Sequence, residues 1–391
     1  MTPAPSGSRR TRLSRSHSQR GQAAFIVVFL LAVGIGLFAY GAVSSVSLSQ
    51  QQDLRTRQVL TMARDALIGW SVARTTTVPL PNARPGELPC PDMDNDGLED
   101  GSCVAGAIGR VPWKTLGIPE PKDGAGETLW YAIAGPFRIW NMNGTRIDSD
   151  TKGDLTVYHD STATVLTAEA VAVIFAPGPV VAGQNRDAAN ANNPANYLDT
   201  TGGVNNAIAG GPFISTQGSA TFNDRLLAIT TADLMPVVEM RVAREMLALL
   251  SQYKANSVCG CYPWAANNFD DDSVVGRRRG GVPIEVALPE AWGSGTIPSV
   301  PSWIIGTNEW GKRYYYAVAL SVVDPPTSSS WLTVDGTNMA VVLITPGPAG
   351  ASRPSANLPD YVDDAENSNN DDVFQTPSST AYARDRLYII P

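Results

Sequence analysis

No side chain between Arg20 and Asp53 carries a charge, and within that window Ala23–Val43 (AAFIVVFLLAVGIGLFAYGAV) is almost wholly apolar. A helix over this stretch, at about 1.5 Å per residue, reaches roughly 31 Å and spans the hydrocarbon core of a bilayer. A buried core helix of that length would still need a polar face. The pattern therefore predicts a transmembrane helix over 22–46. From Ser47 to Arg74 there is no proline and the first glycine is Gly69. Leu60, Ala63, Leu67 and Trp70 fall at helical spacing there, with Arg55, Arg57, Arg64 and Asp65 on other faces. The span is expected to continue as one helix, half in lipid and half amphipathic, ending near Thr75–Pro79 where β-branched residues and proline stop it.

Beyond this helix the chain reads as a repeat. Ala63–Leu67 (ARDAL) matches Ala243–Leu247 (AREML), each inside a helical pattern. Each helix leads to a cysteine, a proline and an acidic run: Cys90–Gly97 (CPDMDNDG) in one, Cys261-Tyr-Pro through Asp270–Asp272 in the other. Gly109–Pro112 then matches Gly280–Pro283, and Gly126–Ala134 (GETLWYAIA) matches Gly311–Ala319 (GKRYYYAVA). Val171–Pro179 (VAVIFAPGP) matches Ala340–Pro348 (AVVLITPGP). Tyr197-Leu-Asp199 with Asp224-Arg-Leu226 answers Tyr361-Val-Asp363 with Asp385-Arg-Leu387. A shared order of matches predicts two copies of a helix-then-strands module, 47–230 and 231–391. Alternating aromatic and β-branched residues such as Trp130–Ile133 and Tyr314–Val318 read as half-buried strands, and the Pro-Gly-Pro triplets at 177–179 and 346–348 mark where the segments before them must stop. In the second module a helix is expected over Thr231–Lys254, burying Leu234, Val238, Val242 and Leu249.

The net charge of −8 is unevenly placed. Residues 1–20 hold five arginines and no acid, so the remainder has 24 basic against 37 acidic residues, a net −13. An acidic body argues against nucleic acid as a partner, because phosphate contacts need clustered cations. The arginines sit just before the apolar run, so the positive-inside rule leaves 1–21 cytoplasmic and the body outside. A cleaved secretory signal is the competing account, but its apolar region would be shorter and a loop would follow it.

Asp92-x-Asp94-x-Asp96-Gly97-x-x-Asp100 is the one constellation with metal chemistry. Alternate aspartates around a glycine turn place hard oxygens on one side of a tight loop, which suits calcium. The bidentate glutamate of an EF-hand would fall at Cys103, so the loop is of the shorter kind; the bland reading is a solvated acidic turn. Asp270–Asp272 lack both the spacing and the glycine. Four cysteines in an exported body suggest disulfides. Cys90 and Cys103 bracket the acidic loop, and joining them would add about 3 kcal/mol in the chain-entropy model. For Cys259 and Cys261, a bridge across one residue is strained, so cross-pairing between modules and a local redox-sensitive link are both open.

Catalytic chemistry has little to stand on. The two histidines are His17 and His159, and no metalloprotease, nucleophile-elbow or phosphate-loop pattern occurs. His159 lies beside Asp160 but has no assignable nucleophile, and reads as a surface or sheet-edge residue. Arg277–Arg279 read as balancing Asp270–Asp272, the other account being contact with a neighbouring subunit. The aromatic-rich segment Trp292–Trp310 reads as core.

This arrangement resembles bacterial type IV pilins and type II secretion pseudopilins, which join a basic leader and a half-transmembrane helix to a small antiparallel sheet. Arg20-Gly21 before the apolar run looks like the leader's cleavage site, with Gly21 and Gln22 flanking the scissile bond. Asn308–Tyr314 (NEWGKRY) resembles the Asp-x-Trp-Gly-x-x-Tyr segment of pseudopilins. Two departures stand out: the family usually has Phe or Met after the glycine and Glu at mature position five, where Gln22 and Ile26 stand here. The resemblance implies an α+β fold, a long N-terminal transmembrane helix followed by two tandem helix-plus-antiparallel-sheet pilin-like modules. It implies a minor or atypical filament subunit, held in the inner membrane with its body in the periplasm. The expected partners are other pilin or pseudopilin subunits, a prepilin peptidase and the lipid bilayer. The alternative is a membrane-anchored calcium-binding surface or periplasmic protein.

Overall fold

The computed structural model describes residues 48–74, 83–139, 147–266, 276–283, 300–305, 310–323, 326–345, 347–348, 362, 364–369, 371–377 and 385–391. The expected leader 1–21 and span 22–46 lie outside them, as do Asp270–Asp272. Among the described residues, no helix is long and apolar enough to cross a membrane. The chain divides into two compact units, Met1–Leu54 and Arg55–Pro391. Of the first, residues 48–54 are described and are helical.

Helix α1 runs over 48–74, and its part in the second unit, 55–74, buries Leu60, Ala63, Leu67 and Trp70, a stripe at i, i+3, i+7 and i+10. Burying one leucine of this kind stabilises the fold by about 1.5–3 kcal/mol. The polar side of α1 stays out, with Arg55, Arg57 and Asp65 exposed. Its last turn is tied to the chain beyond: Gly86 N–H donates to the Ser71 carbonyl, and buried Glu87 pairs with Arg74 and Arg84.

The first sheet takes β1 (Ile108–Arg110), β2 (Trp130–Ile133), β3 (Leu155–His159), β4 (Ser161–Ala176), β7 (Phe213–Ser215) and β8 (Arg225–Thr230). Its order is β1-β2-β4-β3-β7, with β8 also on β4. The short helix α2 (Trp113–Leu116) lies between β1 and β2, and β5 (Thr200–Thr201) and β6 (Val204–Asn205) form a separate two-stranded ribbon. The sixteen residues of β4 divide in two. The N-terminal half pairs with β3, and the C-terminal half is clasped between β2 and β8. That half, Ala170–Ala176, is buried without alternation, because core lies on both of its faces.

Helix α3 (Thr231–Asn256) follows β8 directly, ending two residues beyond the expected Lys254. The Asp233 carboxylate accepts from the Thr230 N–H and hydroxyl, which caps its first turn. Leu234, Val238, Val242 and Leu249 are buried as expected. The strands that follow are β9 (Arg279–Gly281), β10 (Tyr315–Val318), β11 (Leu332–Val334), β12 (Thr337–Met339), β13 (Val341–Thr345), β14 (Val373–Phe374) and β15 (Arg386–Ile390).

Their pairing repeats the first half. The ladder β9-β10-β13-β15 is antiparallel throughout, as is β1-β2-β4-β8. β11 pairs antiparallel with β12 and parallel with β14, as β3 does with β4 and β7. The long β4 thus corresponds to β12 and β13, interrupted at Ala340. The β8–α3 junction falls at Thr230–Thr231, yet the main core runs across it, joining α1, α3 and both ladders. Arg64 on α1 reaches Asp233 on α3 at 2.9 Å. The fold is α+β, with helix α1 packed on mixed sheets.

Candidate functional site

The acidic loop begins where the chain is held by β1. Asp92 N–H donates to the Arg110 carbonyl and accepts in return through its own carbonyl, at 3.0 and 2.6 Å. Gly109 permits this approach, since a Cβ there would come within 2.5 Å of the Asp92 carbonyl oxygen. Anchored so, the Asp92 side chain is buried and points into its own loop. Its Oδ1 accepts from the N–H groups of Asn95 and Asp96, and its Oδ2 from that of Gly97 at 2.7 Å. Two residues turn the chain back by adopting the left-handed region, Asn95 at φ 65° and Gly97 at φ 88°. At Gly97 any Cβ would also collide with the Trp113 indole at 2.8 Å.

This winding brings carboxylate oxygens of Asp92, Asp94 and Asp96 within 4.8 Å of one another, with Asp94 and Asp96 exposed. Asp100, expected as a fourth ligand, instead accepts from the Met93 N–H at 2.7 Å and fastens the loop's other end. Three hard carboxylate oxygens on a loop mouth open to solvent fit a divalent cation that completes its shell with water and backbone oxygen. Burial pushes the Asp92 carboxyl above its ordinary range; the three N–H donors oppose this, and the Asp96 charge adds to it. A cation among these groups would remove that repulsion.

Neighbouring elements fix the loop from outside. Lys114, on α2, donates its backbone N–H to the Gly97 carbonyl and its ammonium to the Asp96 carbonyl. The Thr115 hydroxyl accepts from the Glu99 N–H, and the Asn192 amide donates to the Asp94 carbonyl. The alternating aspartates were visible in the sequence, but Lys114, Thr115 and Asn192 carried no local signal, being brought in by α2 and a distant loop. Cys90 and Cys103 are joined across the base of the loop, with Cα atoms 5.7 Å apart. Cys259 is joined to Cys261, so the local link is formed rather than a bridge between modules. Gly21 and Gln22 lie outside the described residues.

The repeat extends to side-chain hydrogen bonds and corrects the sequence alignment. The Tyr131 hydroxyl donates to the Pro89 carbonyl, and the Tyr316 hydroxyl to that of Pro263. Gly280 would meet the Ala266 carbonyl oxygen as Gly109 meets that of Asp92. Pro89 therefore answers Pro263 and Asp92 answers Ala266, so Cys90 answers Trp264 rather than Cys261. In the second half, apolar alanine stands where the buried aspartate organises the first loop. Asn206 exchanges two bonds with the Ile214 backbone, and Asn367 does the same with Gln375. The Asp224 carboxylate accepts from the Asp199 N–H, and that of Asp385 from the Asp364 N–H.

Other candidates resolve simply. Arg278 and Arg279 pair with Asp372, at 2.6 and 3.0 Å; the acidic run Asp270–Asp272 lies outside the described residues. Trp303 and Trp310 are buried. His159 is exposed at the end of β3 beside Asp160. No protein-family model, curated protein or solved structure matches the chain.

Proposed function

We propose that this protein is a structural subunit of a type IV pilus or type II secretion pseudopilus-like filament, a minor pilin or pseudopilin with a duplicated globular module. The observation that carries the reading is helix α1, whose 55–74 stretch packs on mixed sheets, with the uncharged run 21–52 earlier in the chain. In this account 22–46 is stored in the inner membrane and then packs into a filament core by helix-to-helix contact. The two helix-plus-sheet modules face the periplasm or the medium, and the leader is removed by a prepilin peptidase after Gly21. Calcium at Asp92, Asp94 and Asp96 stiffens the first module. No catalytic role is assigned.

The Asp92 cluster also suits a permanently anchored calcium-binding surface or periplasmic protein, which would keep its arginine-rich leader. The mass of the intact chain taken from membranes separates the two. A chain beginning at Gln22, together with loss of co-purifying filament subunits when Gly21 is replaced by a bulky residue, supports the filament reading. A chain that retains Arg9–Arg20 and behaves identically after replacement of Gly21 overturns it.

A further inference from the structure

The two disulfides stand in opposite surroundings. Cys90 and Cys103 are both buried in the main core, and their bond closes a segment with a sequence separation of 13. Cys259 is exposed on the turn that follows α3, next to fully exposed Val258, and its bond to Cys261 encloses Gly260 alone. Gly260, at φ 65°, supplies the left-handed turn that brings the two cysteines together.

The two sulfurs of this bond also differ. Cys261 is 3% exposed. Its N–H donates to the Ser257 hydroxyl oxygen at 2.7 Å, and that hydroxyl lies 3.0 Å from the Cys261 carbonyl. The next residue, Tyr262, is buried, donates its N–H to the Val322 carbonyl and carries the Lys254 ammonium over its ring at 4.8 Å. Cys261 is thus held on the body of the protein, and Cys259 on its rim.

We propose that Cys259–Cys261 is a site of thiol–disulfide exchange with a dithiol partner. A partner thiolate attacks the exposed Cys259 sulfur, the bond to Cys261 breaks, and Cys261 leaves as a thiolate that takes a proton from solvent. The partner's second thiolate then attacks its own sulfur in the mixed disulfide and releases Cys259 as a thiol. Two electrons pass: the partner becomes a disulfide and this protein a dithiol. Opening the bond costs the fold little, because the ring restrains a single glycine. In the chain-entropy model the longer Cys90–Cys103 loop stabilises the fold about tenfold more, as an equilibrium constant, than this ring does. The Ser257 clamp keeps Cys261 in place while the ring is open, so the site recloses when the partner departs.

Equilibrating the full-length protein in glutathione redox buffers, quenching by alkylation and mapping peptides by mass tests this directly. Cys259–Cys261 is expected to open at a milder reducing strength than the buried Cys90–Cys103, with the circular dichroism of the fold unchanged. Cys261→Ser treated with oxidised glutathione is expected to carry the adduct on Cys259, while Cys259→Ser leaves Cys261 largely unmodified. Simultaneous opening of both disulfides with loss of the folded signal overturns the proposal. So does equal modification of Cys259 and Cys261 in the two variants.

Discussion

Asp224 has no exposed surface and sits against a second acid, Asp199, with the Asn206 amide and the Asp199 N–H donating to its Oδ2. Burial, reinforced by the Asp199 charge, pushes its carboxyl up to about 8. The folded chain therefore holds a proton there that the unfolded chain gives up above about 4. The associated stability is complete at acid pH and is lost as pH rises toward 8. Asp224→Asn keeps an acceptor for both donors and removes the titration. Its stability relative to the parent is expected to climb by up to about 1.4 kcal/mol per pH unit across that window, read from denaturant unfolding at several pH values. Parallel curves would show that Asp224 is ionised in the fold.

At the scale of one element, the acidic loop is a turn wound around a buried carboxylate. Asp94 and Asp96 face out, and each accepts one loop N–H, from Asp96 and Leu98, that an amide oxygen can also accept, so Asp94→Asn and Asp96→Asn are expected to leave the fold intact. Each should weaken calcium binding by at least about tenfold, measured by calorimetric titration of the full chain. Asp92, with its carboxyl raised, contributes stability to the metal-free fold at low pH that fades as pH rises through its folded value. Calcium needs the ionised form and works in the opposite sense. Calcium at a hundred times its Kd is expected to add about 2.7 kcal/mol near neutral pH and almost nothing in acid. Equal stabilisation at both would place the cation elsewhere.

On the scale of the whole molecule, the repeat is a repeat of topology but not of independence. Leu60 and Leu67 of α1, Val238 and Met246 of α3, and strand residues such as Tyr131 and Tyr316 belong to one core. Buried Arg313, beyond α3, pairs with Asp148, before β3. Residues 55–391 are therefore expected to unfold in one transition by both far-ultraviolet and tryptophan signals, and 231–391 alone to lack a cooperative transition. Two separated transitions would mean that each half carries its own stability.

The periodicity of Leu60, Ala63, Leu67 and Trp70 was enough to place α1, because a helix face is written locally every three or four residues. The order of six matched segments likewise anticipated a ladder laid down twice, and the spacing of Asp92, Asp94 and Asp96 anticipated their convergence. Partners distant in the chain were not legible. Asp372 opposite Arg278 and Arg279, Asn192 beside the acidic loop, and Ala266 in the place of Asp92 depend on which strands lie side by side. Sequence spacing sets where a side chain points along its own element. Only the packing of elements decides which group it meets, since burial makes each remote polar contact compulsory once the backbone has fixed the neighbours.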